Sequence, residues 1–201
     1  MNSPSLFPGS ALAHNWPFGE LEPMQYEMLM ADPPWHFETY SEKGEGKSPQ
    51  AHYETMSIAN IKALPVGLLA KSDSLLWLWW TWPLLPEAMS VVSSWGFRYV
   101  TGGAWHKRTS GGKTAFGTGY RLRSACEPFL IGTAGNPDTS RDCRNLLEGM
   151  VREHSRKPDE AFALAEQLMP DARRIEIFSR EKRAGWDNWG FEATKFNEAA
   201  E

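Results

Sequence analysis

Met28-Leu29-Met30-Ala31 is an apolar run that stops abruptly at Asp32, and Ser74-Leu-Leu-Trp-Leu-Trp-Trp80 is a second, longer one. Apolar runs of strand length with almost no alternation belong to strands buried on both faces, so Tyr26 to Ala31 and Ser74 to Trp80 are predicted as central strands. Arg174-Ile-Glu-Ile-Phe178 alternates with period two and ends in Ser179-Arg180, a third strand. Phe97 to Trp105 and Pro128 to Gly132 are further strand candidates. Ser57 suits the cap of a helix through Ile58, Ile61 and Leu64 that Pro65 interrupts. Pro83 suits the first turn of a helix carrying Leu84, Leu85, Ala88, Val91 and Val92, ending near Gly96. Pro158-Asp159-Glu160 opens another, with Ala161, Leu164, Ala165 and Leu168 on one face and a stop before Pro170. Residues 142 to 150 read as a short helix or as irregular. Strands alternating with helices predict an α/β fold, a mostly parallel sheet with helices on both faces.

The polar intervals divide the chain. Residues 1 to 25 read as an extended lead-in, 26 to 192 as one folded domain, and 193 to 201 as a tail. Residues 36 to 53 are too polar and Gly-rich for regular structure, and a loop of that length directly after Asp32-Pro-Pro-Trp35 predicts a lid. Residues 107 to 123 form a Gly-rich loop between two strands.

Composition narrows the function. A chain of 201 residues is long enough for a core without staples. Cys126 and Cys143 lie in no CxxC pair and predict free thiols in a reducing compartment. With no signal-like amino terminus and no run of about eighteen apolar residues, the sequence predicts a soluble cytoplasmic protein without a membrane partner. The five histidines, at 14, 36, 52, 106 and 154, are scattered, which predicts no metal site. A net charge of −4 argues against coating nucleic acid by bulk electrostatics. The distribution points the other way: Thr101 to Cys126 has no Asp or Glu but holds Lys107, Arg108, Lys113, Arg121 and Arg123. Lys107, Arg108, Arg121 and Arg123 are therefore the predicted nucleic-acid contacts.

Asp32-Pro33-Pro34-Trp35 is the candidate chemistry. In open α/β sheets ligands sit at the carboxyl ends of the strands, where this tetrad falls. Two prolines fix their own φ and aim the Asp32 carboxylate and the Pro33 carbonyl. Trp35 adds a flat stacking face, and the set suits a ring bearing an exocyclic amino group. Gly112-Lys113-Thr114 lacks the first glycine of a P-loop, since Lys107 stands there, and no GxGxxG, HExxH or GxSxG occurs.

An ordered series of segments carries a resemblance: Ala31-Asp-Pro-Pro-Trp35, Tyr53-Glu-Thr-Met56, the Trp-rich run before Thr81, Trp95-Gly96-Phe97, Trp105-His-Lys107 and Gly117-Thr-Gly-Tyr120. Glu127-Pro-Phe-Leu-Ile-Gly132, Arg156-Lys-Pro-Asp-Glu160, Arg174-Ile-Glu-Ile-Phe178 and Gly185-Trp-Asp-Asn-Trp-Gly190 continue it. Over residues 26 to 192 the chain resembles the adenine-N6 methyltransferases related to the mRNA N6-methyladenosine writer, the MT-A-seventy-like family, in their short bacterial or phage form. The resemblance implies a Rossmann-like methyltransferase sheet using S-adenosylmethionine. Its catalytic residues would be Asp32, Pro33, Pro34 and Trp35. The cofactor would lie against Asp32, Phe178, Ser179, Arg180, Arg183, Asn188 and Glu192. Two positions depart from the pattern: Phe191 stands where similar members often have Asn, and Cys126 where some have a lysine for the cofactor carboxylate, a role Ser124 or Arg123 could take.

The implied reaction is methyl transfer to adenine N6 by direct displacement. The N6 lone pair is conjugated into the ring; if Asp32 and the Pro33 carbonyl accept its two N–H bonds, the pair is localised and aimed away from them. A duplex base cannot reach such a site, so the substrate is a flipped or single-stranded base, expected in DNA rather than RNA. Two alternatives stand beside this one: a non-catalytic partner subunit, and methylation of another exocyclic amine such as cytosine N4.

Overall fold

The computed structural model describes residues 16–36, 55–119, 121–152 and 156–190. The lid expected over 36 to 53, together with Phe191 and Glu192, falls outside these apart from His36. Among the described residues seven strands form one sheet: β1 (Tyr26–Ala31), β2 (Ala70–Trp79), β3 (Arg98–Arg108), β4 (Cys126–Ala134), β5 (Leu146–Met150), β6 (Arg174–Ile177) and β7 (Trp186–Trp189). Their order is β5-β3-β4-β2-β1-β6-β7. β4 alone runs against the rest, pairing antiparallel with β2 and β3. The expected mostly parallel sheet with helices on both faces is what forms.

β1 is the most deeply enclosed strand because β2 and β6 flank it in parallel, Leu29 lying between Leu76 and Ile175. Its alternation then serves two cores. Leu29 and Ala31 join Leu76, Leu78, Ile61, Ala88, Val91 and Val92 on one face. Met28 and Met30 join Leu75, Trp77, Trp79, Ala161, Phe162 and Ala165 on the other. The first face is thus covered by α1 (Ile58–Ala63) and α2 (Leu85–Ser94), the second by α3 (Asp159–Leu168). Ser57 caps α1 as expected, accepting from the Asn60 N–H at 3.2 Å. Gly96, at φ +84°, ends the turn after α2 in the left-handed region that glycine tolerates best.

Two elements differ from the sequence expectation. Residues 146–150 are an edge strand, not a helix: Leu147 and Gly149 point inward while Leu146, Glu148 and Met150 point out. Gly149 masks the period, and it is there because a Cβ would lie 2.7 Å from Glu160 Oε2 and 2.8 Å from Pro158 Cβ. β7, which the apolar pattern does not announce, pairs with β6 through Asp187 and Asn188. Among the described residues, no helix is long and apolar enough to cross a membrane.

Candidate active site

The carboxyl ends of β1 and β6 and the amino end of the antiparallel β4 meet the segment that enters α3, and four charged side chains converge there. Asp32 follows β1 directly. The turn behind it is held at three points: the Trp35 N–H donates to the Pro33 carbonyl at 2.8 Å, the Met56 N–H to the Pro34 carbonyl at 2.9 Å, and the Trp35 indole to the Trp79 carbonyl at 3.0 Å. Trp35 is only 5% exposed. In this structure it is a core pillar under the turn rather than an open stacking face. Pro33 is buried and Pro34 half-buried. The Pro33 carbonyl keeps a second lone pair for another donor.

Lys157, 6% exposed, places its ammonium 2.7 Å from Asp32 Oδ2 and 2.5 Å from Glu127 Oε1. Glu127 in turn accepts Lys107 Nζ at 2.8 Å through its other oxygen. Lys107, Glu127, Lys157 and Asp32 therefore form a line of alternating charge. Trp79 closes it from below, its ring centre 5.3 Å from the Lys157 ammonium. Burial raises the Asp32 acid above its ordinary range, against the opposing pull of Lys157. Burial would raise Glu127 too, but the Lys157 and Lys107 ammonium groups overcome it and hold that carboxyl at about 2. For Lys157, the charges of Asp32 and Glu127 outweigh desolvation and keep it protonated.

Beyond Asp32 lies a narrow cleft, lined by Arg156, Lys157, Phe162, Glu176, Phe178, Arg180 and Glu181 and holding about 20 Å³, room for a single water. Glu176 is 9% exposed and accepts from the Ser179 hydroxyl at 2.8 Å. Its carboxyl is pushed up to about 7, chiefly by burial and further by the charges of Asp32 and Glu181. Phe178 leaves β6 at φ +65°, a left-handed conformation costly for an aromatic residue, where its ring packs edge-on against Trp189 at 5.7 Å. Gly190 lets the chain after β7 close on this corner: a Cβ there would stand 2.5 Å from the Ser179 carbonyl oxygen.

The cofactor residues expected from sequence divide in two. Asp32, Phe178 and Arg180 line the cleft. Ser179, 1% exposed, lies beneath it as the partner of Glu176. Arg183 is held behind it, bonded to Asp159 at 2.6 Å and Glu181 at 3.0 Å and stacked 3.9 Å from the centre of the Phe162 ring. Asn188 sits on β7 opposite Glu176. Of the basic residues, Lys107 belongs to the line of alternating charge, Arg108 pairs with Glu148 at 2.8 Å, and Arg123 folds back on its loop, with its guanidinium 4.5 Å from the centre of the Phe116 ring. Arg121 is exposed. Cys126 begins β4 next to Glu127, so the cation near Asp32 is supplied from the α3 side by Lys157. Lys157, Glu127 and Glu176 were given no role from sequence. Only their places in Arg156-Lys157-Pro158, Glu127-Pro128 and Ile175-Glu176-Ile177 signalled them, since a charged residue inside a strand or before a helix turn reads as solvated until its neighbours are known. No cluster of potential metal ligands occurs among the described residues.

The chemistry of the donor set fits an amino-acid zwitterion and a ribose. Lys157 beside Asp32 presents one positive and one negative group side by side, and Glu176 is a buried acceptor with capacity for hydroxyl donors. The space does not fit them as it stands: Arg156 and Glu181, paired at 2.5 Å, narrow the cleft and must part to admit a nucleoside.

The chain is similar to known proteins along most of its length. It is 29% identical over 193 residues to a type II methyltransferase, M.MunI, of a Mycoplasma species, covering 87% of this chain and 81% of that one. It is 32% identical over 170 residues to an N(6)-adenosine-methyltransferase MT-A70-like protein of Arabidopsis thaliana, covering 82% of this chain but 23% of the relative. It is 28% identical over 183 residues to the N6-methyladenosine RNA methyltransferase MTA1 of Cryphonectria parasitica, covering 86% of this chain and 53% of the relative. The MT-A70 family model matches residues 26–192, a span holding the Asp32 turn, the Glu127–Lys157 line and the β6 corner, and the chain belongs to that family.

Proposed function

We propose that this protein transfers a methyl group from S-adenosylmethionine to the exocyclic N6 of adenine in nucleic acid. The observation that carries the reading is the Asp32 carboxylate, fixed at the end of β1 by a proline turn and by the Lys157 ammonium at 2.7 Å. Asp32 and the free lone pair of the Pro33 carbonyl accept the two N6–H bonds and point the nitrogen lone pair away from themselves. Both acceptors are in place before the substrate arrives, so no reorganisation opposes the step. Burial raises the Asp32 acid, which makes it a better acceptor for the N6 proton than a solvated carboxylate. The cofactor supplies an electrophilic methyl group when bound. The residues that would hold it are Asp32 and Lys157 at its amino-acid end, Glu176 and Asn188 at its ribose, and Phe178 and Arg180 beside its base.

DNA is proposed ahead of RNA. The relative matched along 81% of its length is a type II methyltransferase, whereas the fungal relative named for RNA is matched over 53%. The retained Asp32 argues against a silent partner subunit. Incubation with methyl-labelled S-adenosylmethionine and either DNA or RNA, followed by nucleoside analysis, tests the reading. Label in N6-methyladenine from DNA supports it. Label in another nucleoside, or none with either polymer despite cofactor binding, rejects it.

A further inference from the structure

We propose that Trp82 is a stacking platform for the nucleobase beside the target adenine. The proposal rests on the nucleic-acid reading above and names a subsite within it. Seven of the ten tryptophans are buried and two partly so, whereas Trp82 is 52% exposed. It opens a 3₁₀ turn, Trp82–Leu84, just past the carboxyl end of β2. Ala31 is level with Leu78 across the β1–β2 pair, which puts Asp32 level with Trp79 and Trp82 three residues further on. That separates the two backbones by on the order of 10 Å at the same edge of the sheet.

The indole is held rather than loose. Its N–H donates to the Cys126 carbonyl at 3.4 Å, its ring meets Trp80 edge-on at 5.2 Å, and Pro83 stiffens the chain after it. A large aromatic half in water gains nothing for the fold from its exposed part. At the substrate edge of the sheet it has an evident use. The loop that runs into Cys126 is the acid-free interval, carrying Arg121 and the Phe116–Arg123 stack, with Phe116 61% exposed. An aromatic face beside a basic loop is the combination that grips single-stranded nucleic acid, because every base has a π-face and the backbone follows the charge.

Two consequences follow. The base on Trp82 has left its neighbour in the strand, so the polymer is single-stranded or opened around the target. The contact is made equally in the ground state and the transition state, so it lowers KM and leaves kcat alone.

The test uses Trp82→Ala and Trp82→Phe in the full chain, with a short oligodeoxyadenylate and the same strand carrying abasic residues at alternate positions. For Trp82→Ala we expect binding weakened about tenfold, within the five- to hundredfold range of a lost base stack, with kcat unchanged. Trp82→Phe, which keeps a ring and loses the N–H, stays within about threefold of the parent. The abasic strand weakens the parent as much as the alanine change does and weakens the alanine variant no further. Equal affinity of Trp82→Ala and the parent overturns the proposal. So does Trp82→Phe failing as badly as alanine, which makes the Cys126 hydrogen bond the relevant feature. If the parent neither binds nor methylates any nucleic acid, the functional reading itself fails and the subsite with it.

Discussion

Lys157 and Asp32 form a 2.7 Å ion pair at the end of β1, and the same ammonium lies 2.5 Å from Glu127. One cation thus separates two carboxylates. Lys157→Met would leave Asp32 and Glu127 without it, and breaking such a buried pair costs about 3–5 kcal/mol. The loss has a pH signature. Glu127, held at about 2, contributes stability that is complete above its ordinary range near 4.5 and lost as the pH falls toward 2. Thermal melts of Lys157→Met should therefore show the largest deficit near neutrality and converge on the parent in acid. A deficit independent of pH would mean that Lys157 acts by packing alone.

Glu176 has the opposite sign. Its carboxyl titrates at about 7, above its ordinary 4.5, so the native state takes up a proton that the unfolded chain does not as the pH falls between those values. Stability from this group rises on acidification by up to about 3 kcal/mol. Glu176→Gln keeps an acceptor for Ser179 without the charge. It should melt higher than the parent at pH ~8, by an amount that vanishes only below pH ~4, while binding S-adenosylmethionine more weakly. A variant less stable than the parent at high pH would contradict the assignment of Glu176 as a strained, ligand-ready acceptor.

The basic residues are not equivalent. Arg108 is engaged by Glu148, whose carboxyl is held below its ordinary range by Arg108 and His106, whereas Arg121 is exposed. Arg121→Ala with Arg123→Ala should weaken nucleic-acid binding and reduce the salt slope by up to about two, while Arg108→Ala changes it little. Titrations across ionic strength give both slopes. Equal effects from the two variants would place the polymer over β5 as well.

Much of this was legible in the sequence, and unevenly. β1 and β2 declared themselves because a strand flanked on both sides and covered on both faces has no polar period to hide, and the Asp32-Pro-Pro-Trp turn marked the edge where ligands sit. β5 did not, since Gly149 occupies an inward position that Pro158 and Glu160 leave no room to fill. Lys157 and Glu127 were invisible as a pair because 30 residues separate them, and a lone charge at a strand start or before a helix reads as solvated. Only the meeting of β4 with the entry to α3 makes one ammonium the partner of two acids. Trp35 was expected as an exposed face and is a pillar, because the indole N–H finds the Trp79 carbonyl beneath the turn.

Gly190→Ala tests the β6–β7 corner. A methyl group would stand 2.5 Å from the Ser179 carbonyl oxygen and 2.8 Å from its nitrogen, backbone atoms that cannot swing aside. Such overpacking costs about 1–3 kcal/mol. Calorimetric titration should show cofactor affinity falling more than oligonucleotide affinity, since the displaced residues are those that follow Phe178. Equal losses would indicate a general destabilisation instead.

The central claim, that Asp32 orients the amino group being methylated, is tested most directly by single-turnover methyl transfer with Asp32→Asn and saturating S-adenosylmethionine. Asn keeps the size and one acceptor but loses the charge and the pairing with Lys157. We expect N6-methyladenine to form about a hundred- to a thousandfold more slowly than with the parent, with the polymer bound as tightly as before. Transfer by Asp32→Asn at the parental rate would contradict the account.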